Sequence, residues 1–177
     1  MELKDCLAGR RSIRRYKNTP VSKETVKELL SAAVLAPSWK NSQVSRYYVA
    51  MGESKEKLLA CLPEFNRNNA KDAPVLIVTT VVNGRSGFER DGSYTTHLGA
   101  GFQCFDNGLQ VENICLKAYE LGLGTLIMGL YDEAGVRAFF GIPEEQIIVA
   151  VLAVGYPDIA PEMPARKSVD EIAVFKD

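Results

Sequence analysis

Three side chains with the types and spacing for anion chemistry stand near the start of the chain: Arg10, Ser12 and Arg14, within Gly9-Arg10-Arg11-Ser12-Ile13-Arg14-Arg15-Tyr16. In an extended backbone successive side chains alternate between faces, so these three point one way while Arg11, Ile13 and Arg15 point the other. Two guanidiniums flanking a hydroxyl suit a phosphate, because each Arg offers a planar fork of donors and the Ser adds a shorter one. The same residues also describe a solvated basic turn or an unspecific polyanion patch, and alone they do not choose between these. Two further polar stretches stand apart from the apolar runs: Ala36-Pro37-Ser38-Trp39-Lys40-Asn41-Ser42-Gln43, rich in turn formers and side-chain amides, and Glu64 to Asp72, which carries Asn66, Asn68 and Asn69. A loop held between a helix end and a strand is a good place for a binding site.

Composition removes several chemistries. The 177 residues carry 21 Lys+Arg against 22 Asp+Glu, a formal charge of -1, whereas a protein that coats nucleic acid is usually basic overall. The Arg cluster is therefore a local feature, and no nucleic-acid partner is expected. Cys6, Cys61, Cys104 and Cys115 form no C-x-x-C pair and His97 is the only histidine, which leaves almost no raw material for a zinc site or a His-based triad. No signal-peptide pattern and no bilayer-spanning apolar run is read, so a reducing cytoplasm without membrane attachment is the expectation.

The elements that must position these residues follow in order. Ser22 is a predicted N-cap for a helix with Val26, Leu29, Leu30, Ala33 and Val34 at helical spacing, stopped by Pro37. Tyr47 to Met51 reads as a strand, 53 to 62 as a helix, and Val75 to Val82 as a β-branched strand covered on both faces. Asn83 to Thr96 is a Gly- and Ser-rich loop, either a lid or a surface crossing. Asp106 opens the longest helical pattern, to Leu121, apolar nearly all round and so buried on more than one side, with Gly122 and Gly124 as stop signals. Thr125 to Met128 reads as a short strand, Asp132 to Phe140 as a helix capped by Asp132, Ile147 to Val154 as a central strand, and Ile172 to Phe175 as a further edge strand. The expectation is a single α+β domain over residues 1–177 with a mainly helical shell.

Taken together, Arg10 to Arg14, Ala36 to Gln43, Leu121-Gly122-Leu123-Gly124-Thr125 with Met128-Gly129, the strand ending Val154-Gly155-Tyr156-Pro157, and Arg166 resemble, in order and spacing, the nitroreductase family of FMN-dependent oxidoreductases. The resemblance implies a central, mainly antiparallel sheet surrounded by helices in an intertwined homodimer, with FMN at the subunit interface. It implies that Arg10 and Ser12 take the FMN phosphate with Arg11 contributing its backbone, and that Arg166 and Lys167 close on that phosphate. Arg14 matches a basic position beside N1 and O2 of the isoalloxazine ring. Two-electron reduction leaves negative charge near N1, and a cation at about 4 Å favours that state by a few kcal/mol at an effective dielectric of about 20.

Pro37, Ser38 and Trp39 match the loop that reaches the flavin from the other subunit, with Asn41 and Gln43 shaping it. Asn66 and Asn69 match positions on the pyrimidine edge. Met128, Gly129 and Leu130 match the turn that aims a backbone N–H at N5. The sequence departs from the family pattern at Val44-Ser45, where Pro-Trp is common, at Trp39, where a small residue is frequent, at Asn69, often a lysine, and at Pro164, often a cation. Phe88, Tyr94, Phe102, Phe105 and Tyr131 are assigned no role, and no general acid or base is found, in keeping with cofactor-borne chemistry. The implied activity is hydride transfer from NADH or NADPH to flavin N5 and onward reduction of a nitroaromatic, quinone or flavin; a non-catalytic FMN-binding protein and a specialised member with a dedicated substrate are the alternatives.

Overall fold

Val75 to Val82 and Gln146 to Gly155 are the longest β-branched runs of the chain, and they lie side by side at the centre of an antiparallel sheet. The computed structural model describes residues 1–176. Strands Ser45–Met51 (β1), Val75–Val82 (β2), Gly124–Met128 (β3) and Gln146–Gly155 (β4) are ordered β1-β2-β4-β3, each neighbouring pair antiparallel. The helices are Leu3–Gly9 (α1), Lys23–Val34 (α2), Glu53–Ala60 (α3), Glu64–Ala70 (α4), Gly101–Glu120 (α5), Glu133–Phe140 (α6) and Val169–Ile172 (α7), with a 3-10 turn at Trp39–Asn41.

Strand alternation sends Leu76, Val78, Val151 and Ala153 to one face of the sheet, where they meet Leu58, Leu62 and Val136 of the α3 and α6 region. Val75, Ile77, Leu152 and Val154 face the other way, against α2 and α5 through Leu29, Ala33, Ile114 and Ala118. Both faces are covered, which is why the central strands lack polar alternation.

Local chemistry fixes the helix ends. The Ser22 hydroxyl accepts the Thr25 N–H at 3.0 Å, as an N-cap does. Gly122, at φ +74, ends α5, and Leu123 N–H bonds back to the Ala118 carbonyl at 2.8 Å. Other expectations are corrected. The polar stretch from Glu64 is a helix; only Asn66 and Ala70 of it are buried, so its inward face leaves no apolar periodicity to read. The α5 helix begins at Gly101, a turn before Asp106, which lies inside it and is buried. Asp132 holds the N-cap position of α6 without a side-chain cap bond. No strand forms at Ile172 to Phe175, because Ser168 and Glu171 make a reciprocal capping box that winds 169–172 into a helical turn.

Candidate functional site

The basic segment is seated by two buried side chains three residues apart. Ile13 and Tyr16 are 5% and 4% exposed, Ile13 N–H bonds to the Thr125 carbonyl at 2.9 Å, and the Tyr16 hydroxyl donates to the Ile13 carbonyl at 2.7 Å. Two glycines make the seat possible. Gly124 and Gly155 are register partners on β3 and β4; a Cβ on Gly124 would collide with Ile13, and one on Gly155 would lie 2.9 Å from the Tyr16 ring. Close approach of backbone to side chain is what glycine permits. Sequence reading treated Gly124 as a helix stop and missed this role, although a glycine at the end of each adjoining apolar strand was its visible signal.

With Ile13 turned inward, Ser12 and Arg14 stand exposed as alternation predicts. Arg11 departs from it: its Nη1 donates to the Ala8 carbonyl at 2.7 Å and the Arg10 carbonyl at 2.8 Å, closing the end of α1, and it joins Arg10 in the same cleft. That cleft, of about 140 Å³, is lined by Arg10, Arg11, Ser12, Arg14, Pro161, Glu162, Pro164 and Arg166. Four guanidiniums face one carboxylate there. Arg10 Nε also lies 3.5 Å from Glu112 of α5, whereas Lys167 is exposed and outside the cleft wall.

Arg14 borders a second cleft of about 430 Å³, shared with Arg15, Tyr16, Asn68, Asn69, Lys71, Asp72 and Asp158. The Asn69 Nδ2 is buried without a hydrogen-bond partner among the described residues. Asn66 is only 8% exposed and donates its Nδ2 to the Leu130 carbonyl at 2.9 Å, tying α4 to the turn after β3. In that turn Met128 packs into the core, Leu130 is exposed, and a Cβ on Gly129 would meet nothing within 4 Å.

Pro37 to Gln43 lies elsewhere. The Ser38 hydroxyl accepts the Gln43 N–H at 3.0 Å and Asn41 N–H bonds to the Ser38 carbonyl at 3.0 Å. Lys40, Asn41 and Gln43 have φ of 47, 52 and 49 degrees, a left-handed conformation that costs roughly 1–2 kcal/mol per non-glycine residue. Trp39 packs on Phe102, ring centroids 4.8 Å apart, and its backbone N–H donates to Asp106 at 3.0 Å, while its indole N–H has no partner among the described residues. The loop is thus anchored at the N-terminal part of α5, while Arg10 meets Glu112 and shares a cavity of about 220 Å³ with Cys115 and Tyr119. At 1.5 Å per residue, Asp106 and Cys115 are about 14 Å apart along the axis. A single chain brings Arg10, Arg11, Ser12, Arg14 and Arg166 together, and Arg14 with Asn69, but does not bring Pro37, Ser38, Trp39, Asn41 and Gln43 to them.

Among the described residues no group of three His, Cys, Asp or Glu is placed to hold a metal, and no helix is long and apolar enough to cross a membrane. The sequence profile described as the Nitroreductase family matches residues 7–156, from within α1 to just past β4. The chain belongs to the nitroreductase family. Among its relatives, a Methanothermobacter thermautotrophicus protein provisionally named an NADH dehydrogenase/NAD(P)H nitroreductase is 31% identical, the alignment covering 89% of this chain and 78% of the relative. A Thermus thermophilus NADH dehydrogenase is 28% identical over 89% of this chain and 87% of its own. Among solved structures, a nitroreductase-like protein of Exiguobacterium sibiricum in complex with FMN superposes with a TM-score of 0.84 at 25% identity, covering 99% of this chain and 98% of that one. A nitroreductase family protein of Streptococcus pneumoniae reaches 0.86 at 21% identity over 99% and 100%, a likeness of fold.

Proposed function

We propose that this member of the nitroreductase family is an FMN-dependent oxidoreductase that works as a homodimer. The observation that carries the reading is the convergence of Arg10, Arg11, Ser12, Arg14 and Arg166 on one cleft, with the unpartnered Asn69 donor in the adjoining one. The residues fit the group: four guanidiniums and a hydroxyl suit a phosphate dianion, and a buried amide donor without a protein partner suits a carbonyl of the pyrimidine edge. When bound, FMN supplies two-electron chemistry between NADH or NADPH and an acceptor such as a nitroaromatic, a quinone or a flavin.

The chain's own groups then have distinct tasks. Arg10, Ser12 and Arg166 hold the phosphate, Arg11 supports them by fixing the end of α1, and Lys167 adds charge near by. Arg14 places a permanent cation beside N1 and O2. Asn69 marks the pyrimidine edge, and Asn66 steadies the Met128-Gly129-Leu130 turn so that the Gly129 N–H is offered across an open surface towards N5. Pro37, Ser38, Trp39, Asn41 and Gln43 complete the site from a second copy of the chain. The exposed face of α5 supports such a partner: Gly101, Cys104, Phe105 and Gly108 lie outward, Phe105 is 56% exposed, and a Cβ at either glycine meets nothing.

The test is flavin uptake followed by anaerobic reduction. The purified protein is expected to take up FMN with a visible flavin band, to sediment as a dimer, and to bleach on mixing with NADH or NADPH. Absence of FMN binding at excess cofactor overturns the reading, and a flavin that binds but never bleaches leaves a carrier in place of an enzyme. Arg14→Leu is expected to lower the flavin potential more than it weakens binding.

A further inference from the structure

Asp106 is the one charged residue among the eight that α5 buries, and it is 1% exposed. Among the described residues no Lys or Arg forms an ion pair with it, so hydrogen bonds alone must compensate the burial of its carboxylate. They come from two loops distant in sequence. Oδ2 accepts the Trp39 backbone N–H at 3.0 Å and the Ser42 hydroxyl at 3.5 Å from the strained loop, and the Ser86 hydroxyl at 2.6 Å from the loop after β2. A surface contact repeats the link, Lys40 Nζ to Glu89 at 3.5 Å.

We propose that Asp106 is a positioning residue for the cofactor site: its single oxygen fastens the Pro37–Gln43 loop to the 83–100 loop, so that both approach the flavin of the partner subunit as one unit. The inference rests on the function proposed above. It also gives the 83–100 loop a task, as a wall of the acceptor pocket carried by the flavin-contacting loop. Three left-handed residues in the smaller loop make the anchor necessary, because strained backbone persists only where its surroundings over-determine it.

Trp39 is the only tryptophan, which gives the clasp its own reporter. In flavin-free protein, Asp106→Asn and Ser86→Ala are compared with wild type by acrylamide quenching of Trp39, with far-UV circular dichroism as the check on folding. Both variants are expected to raise quenching severalfold, Asp106→Asn more. In flavin-loaded protein, loss of this charge-assisted anchor is expected to weaken FMN binding roughly tenfold. Ser86→Ala, which removes the 2.6 Å bond from the 83–100 loop to Asp106, is expected to raise the acceptor KM. Quenching equal to wild type overturns the clasp, and a freed Trp39 with unaltered FMN affinity and acceptor KM overturns the positioning role. A wild-type protein that takes up no FMN instead overturns the proposed function, and that result is read before any variant is compared. If Asp106→Asn fails to fold, Ser86→Ala carries the test.

Discussion

The two halves of α5 bury opposite chemistry. Towards the C-terminus it presents Val111, Ile114, Cys115 and Ala118 to the sheet, an ordinary apolar stripe beneath the basic segment. Towards the N-terminus the same inward face carries Gln103, Asp106, Asn107 and Gln110, each with a partner: Asn83, the Asp106 clasp, Thr79 with Ser45, and the Tyr47 hydroxyl at 2.8 Å. The apolar half holds the seat by shape and leaves Arg10, Ser12, Arg14 and Arg166 on one cleft, with Arg10 Nε alone drawn towards Glu112 of the same helix. In the polar half Asp106 fixes the chain's own loops, while Asn107 and Gln110 bond to strands β1 and β2. One helix thus supports a binding surface at one end and a shaped projection at the other, and side-chain polarity tells them apart.

Four measurements break or sharpen that contrast. Truncating the fully buried Ile114 to Ala is expected to cost about 4 kcal/mol in denaturant unfolding, the loss typical of a large cavity in an apolar core. Asn107→Ala in the polar half removes the partner of two buried hydroxyls, Thr79 at 2.6 Å and Ser45 at 2.9 Å, for about 3 kcal/mol. A loss as small as that of a surface substitution at Asn107 would break the comparison, because the polar half would then not depend on its pairs.

The third is alkaline pH. Burial, first of all, pushes the Cys115 thiol from 9.0 up to about 11, and burial pushes Tyr47 from 10.0 to about 12. The folded protein keeps protons that the unfolded chain releases, so the stability present below pH 9 is lost as pH rises towards 11 and 12. Cys115 alone accounts for roughly 2–3 kcal/mol. Equilibrium unfolding at pH 8 and pH 11 reads the difference, and a flat profile refutes it. Smallest is Gly124→Ala, expected to cost about 1–2 kcal/mol as Ile13 shifts to admit the methyl group. Its sharper signature is weaker FMN binding with the fold retained, since the displaced Ile13 carries Ser12 and Arg14 with it.

Parts of this were legible in residues alone. The Ser22 cap, the Val75 to Val82 strand and the outward Ser12 and Arg14 on either side of Ile13 rest on local signals, a hydroxyl before a helix, a β-branched block, and alternation. The helix at Glu64 was not legible, because a helix that buries an asparagine and an alanine carries no apolar rhythm. Nor was the polarity of the first half of α5: from Asp106 on the helix reads as apolar nearly all round, and the buried Gln103, Asp106, Asn107 and Gln110 make sense only with Asn83, Ser86, Thr79, Ser45 and Tyr47 opposite them.

By itself the sequence determined which groups were available: a basic segment with a hydroxyl in it, a turn-rich loop, the order of strands and helices, and a family resemblance that the match over residues 7–156 bears out. The tertiary structure decided which of those groups remain free. Arg11 turns its Nη1 back on α1, Asn66 is committed to Leu130, and the Trp39 backbone N–H is held by Asp106, whereas Asn69 Nδ2, which borders the cleft of Arg14, stays unpaired. The physical reason is that a residue type lists the hydrogen bonds a side chain is able to make, while the ones it does make depend on neighbours up to a hundred residues away that only the closed fold brings into reach.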